Sequence, residues 1–518
     1  MAKFKFTALI ASAKRFLHPF AAGLLLSIPF WRAEYGWLVV FCVVGYLVWL
    51  DSKPSVKQIW LSGLAFFAVV VSWLYHIHAT DLIPNNFLAI AFLTLTFSIV
   101  VGSLSLGFLT FGWGYHRLKI ELKQPRALIL VPALWALSEW ARSFIFSIVG
   151  MGPGGSLGPH WNFGSLAFAA SVTPIGYGGR VIGQFGLSAL VIVLALGLLF
   201  LLRKQWRSGG MAIGSTVLIC LTGWLLSPSA NGSTLRVGVL QLDDSSYSDY
   251  GYQRDLGQLT SPHDPSDPLD LLVLPEYSYL FANKEYKNAE KAALSQITTD
   301  KSLIITSQSG EADQGRKNLV TFYAPDGRIN TQQDKQFLIP AGEYIPYFYE
   351  WILVLSGNTS VIGAHQDKNT ITSDARAAVP VTYKNDRIGA LACSGAIAPD
   401  FYRKLTAGGA TVLTNSAALS TMGLSSGYYA QARQMASFIA MSTARPFVQS
   451  ARGADVYVLN SNGKIAEQSN KPGIHYIEAD VTTNKAKTPY VYIGDIGALL
   501  LAASIVIYGS FRINHKGY

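Results

Sequence analysis

Apolar runs near residues 16–32, 37–50, 58–77, 87–114, 127–149, 184–202 and 210–227, with an eighth at about 491–511, restrict what this chain can fold into more than any other feature. About 20 apolar residues in a helix cross the roughly 30 Å hydrocarbon core of a bilayer, and in lipid a helix satisfies its own backbone. The expected architecture is a bundle of about seven transmembrane helices over residues 1–228 and a C-terminal transmembrane helix with a basic tail over 491–518. The run at 37–50 is short and requires a thinned bilayer or supporting neighbours. A basic segment precedes the first run, as in a signal peptide, but no small-residue cleavage site follows through Trp31. It therefore reads as an uncleaved span.

Half of the 518 residues are hydrophobic and only 14% are charged, against about 25% in a typical soluble protein. That balance still leaves a water-soluble portion over residues 229–490. The net charge of +10 does not indicate a nucleic-acid partner, because many Lys and Arg residues stand at the ends of apolar runs. Lys3, Lys5, Lys14 and Arg15 precede the first run, and Lys53 and Lys57 follow the second. Arg117, Lys119, Lys123 and Arg126 follow the fourth, Arg203, Lys204 and Arg207 the sixth, and Arg512 and Lys516 the last. Basic loops stay in the cytoplasm, which puts both termini inside and residues 229–490 on the outer face. Cys42 and Cys220 lie in apolar runs and Cys393 is alone in the polar part, so no disulfide framework can be drawn.

The polar part opens on LRVGVLQLD (235–243) and LDLLVLPE (269–276), both buried-type strand patterns. SLIITSQS, VTFYAPDG, IGALACS and ATVLTNS continue the series, separated by helical patterns in NKEYKNAEKAALSQI and YYAQARQMASFIAMSTA. That alternation predicts an α/β sandwich. His76 and His78 read as interfacial residues, and no metal-binding arrangement or cofactor motif stands out. The glycine-rich GGSLG (154–158) and GYGG (176–179), between the fifth and sixth runs, read as flexible lid or hinge segments.

Three polar residues end or follow strand patterns: Glu276 in LPEYSY, Lys335 in DKQFLIPAGEYIP and Cys393 in IGALACSG. In order and spacing they resemble the Glu-Lys-Cys set of the nitrilase superfamily, which places these residues at the C-terminal ends of neighbouring strands. The resemblance implies an αββα sandwich in which Glu276 is a general base, Lys335 stabilises a tetrahedral oxyanion and Cys393 is the nucleophile. With the preceding spans, the chain resembles the apolipoprotein N-acyltransferase family. DKQFLIPAGEYIPY (334–347) is close to that family's Lys-x-x-Leu-Val-Pro-Phe-Gly-Glu-Tyr-x-Pro and implies a second active-site carboxylate, Glu343, beside Tyr344. LWALSEWARS (134–143) matches the family's Trp-x-x-x-Glu-Trp-x-Arg, with Glu139 and Arg142 on one helix face. That pair reads either as part of a lipid headgroup site or as an ion pair that locks the bundle.

Departures from the family cluster around the thiol. Ser394 and Gly395 stand where Tyr and Glu are usual, and Ala418 stands where a Trp is expected. Asn415, Ala417, Arg445 and Pro446 are retained, and MGPGGSLG replaces a Phe-Pro-Trp segment. Ser394 offers a backbone N–H for an oxyanion hole, and Gly395 is expected to give room and conformational freedom beside the thiol. The family's activity implies a monomeric bacterial inner-membrane enzyme that moves an acyl chain from phospholipid to the N-terminal amine of a diacylglyceryl-cysteine lipoprotein. A membrane-tethered amidase or hydrolase and a non-catalytic lipid- or lipoprotein-binding protein are the alternatives.

Overall fold

The computed structural model describes residues 17–77, 86–226, 232–242, 268–311, 316–368, 370–372, 377–422, 426–471 and 473–514. Lys3, Lys5, Lys14, Arg15, His78, Gly423 and Lys516 lie outside the described residues.

The apolar runs form helices α1 (Leu17–Phe30), α2 (Val39–Leu50), α3 (Val56–Val70), α4 (Asn86–Arg117) and α5 (Ala127–Val149). A short α6 (Leu166–Ser171) leads to α7 (Gly179–Leu202) and α8 (Trp206–Leu225). Six segments among the described residues are long and apolar enough to cross a membrane: Ala33–Leu50, Val56–His76, Ala89–Arg117, Ala127–Val149, Pro174–Leu202 and Trp206–Leu225. The short second run reaches 18 residues because a 3-10 turn at Ala33–Leu38 extends α2. The first and last runs, Leu17–Phe30 and Ile496–Arg512, are apolar helices of lesser length. The chain is therefore a multi-pass membrane protein.

Three basic connections meet at one end of the bundle. Arg203 pairs with Asp51 at 2.8 Å and donates to the Leu122 carbonyl at 3.3 Å, and His116 lies 2.8 Å from the Pro54 carbonyl. From this end α8 rises through 20 residues, about 30 Å, so the strands that follow it start at the opposite end.

Twelve strands follow among the described residues: β1 (Thr234–Leu242), β2 (Leu269–Glu276), β3 (Thr298–Glu311), β4 (Arg316–Tyr323), β5 (Ile329–Asp334), β6 (Val381–Tyr383), β7 (Asp386–Ala392), β8 (Val412–Ala418), β9 (Phe447–Arg452), β10 (Val456–Leu459), β11 (Ile465–Ser469) and β12 (His475–Thr482). Between and after them lie α9 (Lys287–Leu294), α10 (Tyr347–Leu355), α11 (Thr359–Lys368), α12 (Pro399–Ala407), α13 (Ser426–Thr443), α14 (Pro489–Ile493) and α15 (Ile496–Asn514). The pairing order is β5-β4-β3-β2-β1-β9-β8-β7-β6, with β12 on β1, and β10 carrying β11 beside β9. Only Gln241–Ala451 and Leu242–Arg452 join β1 to β9, and at that narrow seam the sheet folds so that β2 packs across β8 and β9.

Alternation along the strands fixes the layers. Val237, Val239, Leu271 and Val273 join Ala390, Val412 and Val448 in the core between the half-sheets. Their neighbours Leu240, Leu242, Leu272 and Leu274 face the other way, onto Leu294 of α9. On the far side, Leu391, Leu413 and Phe447 pack against Tyr402 and Leu405 of α12 and Ile439 of α13. The result is an αββα sandwich.

Helix α13 is buried on nearly every side because the membrane bundle covers what the sheet does not. Its polar residues hold the two parts together. Gln431 donates to the Val70 carbonyl at 2.7 Å and Gln434 to the Pro29 carbonyl at 2.8 Å. Arg180 of α7 donates to the carbonyls of Met441 at 2.9 Å and Ser461 at 2.8 Å.

The structure corrects the reading of GYGG as flexible. Residues 176–179 form a 3-10 turn that runs into α7, with Gly176 and Gly178 buried. The glycines of this region serve close packing: a Cβ on Gly223 of α8 would lie 2.0 Å from the Tyr177 carbonyl oxygen. GGSLG is likewise packed, since a Cβ on Gly154 would lie 2.7 Å from the Leu338 side chain.

A further glycine breaks α7. Gly183 has φ 68° and ψ −163°, a region open essentially to glycine alone. Asp495, just before α15, accepts from the exposed N–H groups of Gln184 at 2.6 Å and Phe185 at 3.4 Å. A Cβ at 183 would lie 2.4 Å from Asp495 Oδ1. Gly183→Ala is expected to cost roughly 1–3 kcal/mol and to loosen the α7–α15 contact. Thermal unfolding in detergent measures it, and an unchanged midpoint would refute the strained-cap account.

Candidate active site

Glu276 ends β2, Lys335 follows β5 and Cys393 follows β7. These strands are not neighbours in the pairing order, contrary to the sequence expectation; it is the folding of the sheet that brings their ends together. All three side chains leave water almost completely, at 2%, 1% and 6% exposure. Glu343, at 9%, joins them from the loop after Lys335.

Lys335 Nζ sits between two carboxylates, 3.0 Å from Glu276 Oε1 and 2.6 Å from Glu343 Oε1. Glu343 is anchored by the Ile339 N–H, which donates to Oε2 at 2.9 Å. Asn318, inward-facing on β4, donates to Glu276 Oε1 at 2.5 Å and accepts from the Ser307 hydroxyl. The second oxygen of Glu276 accepts from the Ala418 N–H at 3.1 Å, while Cys393 Sγ donates to the Ala418 carbonyl at 3.8 Å. One residue thus separates the thiol from the carboxylate.

The charges follow from burial and neighbours. Burial opposes the Lys335 ammonium, but Glu276 and Glu343 outweigh it and hold its pKa well above the ordinary lysine value. Burial raises the Glu343 carboxyl, against the pull of Lys335. Burial, and then the charge of Glu276, push the Cys393 thiol up, with Lys335 opposing. Cys393 is therefore a neutral thiol that requires a base.

Cys393 has φ 45°, in the left-handed region, a strain that persists only when the surroundings impose it. Asn415 Nδ2 donates to the Cys393 carbonyl at 3.2 Å, and the Ser394 hydroxyl donates to the Phe337 carbonyl. Gly395 does not provide the room expected of it: a Cβ there would lie 2.7 Å from Leu391 Cβ, so Leu391 already fills that space. Tyr344 is buried and donates to the Gly150 carbonyl at 2.7 Å, tying the loop of Glu343 to the end of α5.

Cys393 lines a small cleft walled by Ala417, Leu419, Tyr428, Tyr429 and Asp455 among others. Trp73 and Phe163 from the membrane bundle pack on Tyr428, with ring centroids 4.8 and 6.4 Å away. The cleft therefore borders the bundle.

Glu139 and Arg142 do not join the thiol cluster. They pair at 3.3 Å inside the bundle, where Arg142 donates to the Phe163 carbonyl at 2.9 Å and the Leu166 N–H donates to Glu139 at 3.3 Å. With Phe66, Phe108 and Trp135 they line a separate small pocket.

The profile of the apolipoprotein N-acyltransferase N-terminal domain matches residues 22–197, the helices that carry the Glu139–Arg142 pair. The apolipoprotein N-acyltransferase of Ralstonia nicotianae is 22% identical over 97% of this chain and 95% of its own. That of Rhodopseudomonas palustris is 24% identical over 95% and 94%. That of Coxiella burnetii is 28% identical over 42% of this chain and 44% of that protein. The chain is thus similar to apolipoprotein N-acyltransferases over nearly its whole length. Solved structures similar to it include the carbon-nitrogen hydrolase from Helicobacter pylori G27, at TM-score 0.35 and 18% identity over 48% of this chain and 89% of that one. A CN-hydrolase superfamily protein from Xanthomonas campestris matches at TM-score 0.35 and 16% identity over 52% and 97%.

Sequence reasoning missed three residues that the fold sets beside this cluster: Asn318, which bonds Glu276, and Tyr428 and Asp455, which line the Cys393 cleft. A lone Asn in an alternating strand, facing inward in NLVTFY, was the available signal for Asn318. Tyr428 and Asp455 carried none, because only packing against the thiol cleft distinguishes them.

Proposed function

We propose that this protein transfers a fatty acyl chain from phospholipid to the N-terminal amine of a diacylglyceryl-cysteine lipoprotein through a Cys393 thioester. The observation that carries this reading is the buried Glu276–Lys335–Glu343 array behind a strained, buried thiol, in a cleft that borders the membrane bundle. Glu276 takes the thiol proton as Sγ attacks the ester carbonyl. Lys335 stays protonated, balances Glu276 and Glu343, and stabilises the oxyanion. The lysophospholipid alkoxide leaves with the proton held by Glu276. The acceptor amine then attacks the thioester, and Glu276, left unprotonated by that departure, takes a proton from the nitrogen and passes it to sulfur as the C–S bond breaks.

Glu139 and Arg142 act as positioning residues on this reading. They hold the 163–166 turn, from which Phe163 reaches Tyr428 of the thiol cleft. Ser394 and Tyr344 tie down the loop that follows Lys335, through the Phe337 and Gly150 carbonyls, and Gly395 makes space for Leu391. The basic connections at the end of the bundle away from the sheet support an orientation with that end in the cytoplasm and the catalytic sandwich on the outer face of the bacterial inner membrane. The soluble portion then corresponds to residues 229–490.

Full-length protein in detergent, incubated with labelled phospholipid, is expected to form a hydroxylamine-sensitive acyl adduct that Cys393→Ala lacks altogether. Intact mass locates the acyl group and gives its length. A native protein without that adduct, or a Cys393→Ala variant that keeps it, would sink the thioester. Release of free fatty acid with no acyl-peptide product would favour hydrolysis over transfer.

A further inference from the structure

The carboxylate–lysine array is not part of the lining of the cleft at Cys393, yet a different acid is. Asp455, in the turn between β9 and β10, lines that cleft together with Cys393, Tyr428, Tyr429 and Tyr457. Its carboxylate is half-buried and accepts no hydrogen bond among the described residues. The charged groups that act on it are Arg433 and Glu34, and these are paired with each other at 2.8 Å.

A carboxylate without a seated cation, set among tyrosine rings in a partly desolvated cleft, attracts an ammonium group and repels a phosphate. The ion pair is strengthened where water is scarce, and ring faces add cation–π attraction. The phospholipid donor presents a phosphate near its ester, whereas the acceptor presents a protonated amine. We propose that Asp455, framed by Tyr428, Tyr429 and Tyr457, is the subsite that receives the charged amine of the acyl acceptor. This inference rests on the thioester reading above.

The step balances. The bound ammonium gives one proton to Asp455, which frees the nitrogen lone pair. Burial raises the Asp455 carboxyl, against the charge of Arg433, and so favours its taking that proton. The nitrogen attacks the thioester carbonyl, an amide bond forms and the C–S bond breaks. The second nitrogen proton reaches sulfur by way of Glu276, and Asp455 releases its own to water.

The test uses the full chain loaded with a labelled acyl group and discharged by two nucleophiles. One is a synthetic diacylglyceryl-cysteinyl peptide amide, cationic at its amine. The other is hydroxylamine, largely uncharged at neutral pH. In Asp455→Asn the ratio of peptide discharge to hydroxylamine discharge is expected to fall about tenfold or more, chiefly through the peptide KM, as for the loss of one charge-assisted hydrogen bond. Asp455→Glu is expected to restore much of it. An unchanged ratio, or equal losses with both nucleophiles, would overturn the subsite while leaving the thioester intact. A native chain that never acquires an acyl group overturns the thioester reading, and the subsite with it.

Discussion

Lys335→Met in the full chain is expected to abolish acyl transfer and to destabilise the protein more than other single changes at the site. Methionine preserves most of the volume, so the loss is electrostatic rather than a cavity. The ammonium lies 3.0 Å from Glu276 and 2.6 Å from Glu343 at 1% exposure. Removing one member of such a buried array leaves like charges facing each other out of water, at a cost of about 3–5 kcal/mol.

The sign of the pH dependence follows from linkage. Lys335 has a raised pKa in the folded state, so its stabilisation is complete below the ordinary lysine range and is lost only as pH climbs through the raised value. Glu343 is also raised, so its ionisation costs stability as pH rises above the ordinary carboxyl range. In Lys335→Met the Glu343 carboxyl loses the cation that opposes the effect of its burial and prefers the protonated form. The deficit relative to native protein should therefore be largest near neutrality and shrink toward about pH 4.5. Thermal unfolding of both proteins in detergent across that interval is the measurement. A deficit independent of pH would point to repacking instead of charge.

Glu276→Gln carries the second large effect, a slowing of acyl-enzyme formation by about 10²- to 10⁴-fold, the usual worth of a positioned base. The thiol is held neutral by burial, and Glu276 Oε2 stands across Ala418 from it. Glutamine keeps the shape but cannot take a proton. Its amide nitrogen also faces donors on either side, since Asn318 and Lys335 donate to one oxygen and Ala418 N–H to the other. Single-turnover acylation with labelled phospholipid reads the step directly. The base assignment fails if the rate drops less than about tenfold, or if alkylation of Cys393 by a small iodoacetamide keeps its native pH profile in the variant.

Similarity to apolipoprotein N-acyltransferases suggests a kind of chemistry, and the geometry narrows where it would occur. The substitutions around the thiol acquire a physical meaning. Ser394 uses its hydroxyl to hold the Phe337 carbonyl, and Gly395 is demanded by Leu391. Both stabilise the turn that keeps Cys393 at φ 45°. Arg445, retained from the family pattern, is buried and donates to the Ala410 and Ala486 carbonyls at 2.6 Å each, which makes it a structural tie behind β8.

By itself the sequence determined the apolar spans, the strand series and Glu276, Lys335, Glu343 and Cys393 as candidates, because hydrophobic periodicity and a short local motif are properties of neighbouring residues. It also marked the basic connections that the tertiary structure gathers at one end of the bundle. Only the tertiary structure decided how these parts meet. The fold at the β1–β9 seam brings together the ends of β2, β5 and β7, which are far apart in pairing order. The burial of α13 between sheet and bundle places Tyr428 beside the thiol. Asp455 and Asn318 gained their positions the same way. Burial, ion pairing and access to a cleft depend on residues distant in the chain, and no local pattern encodes them.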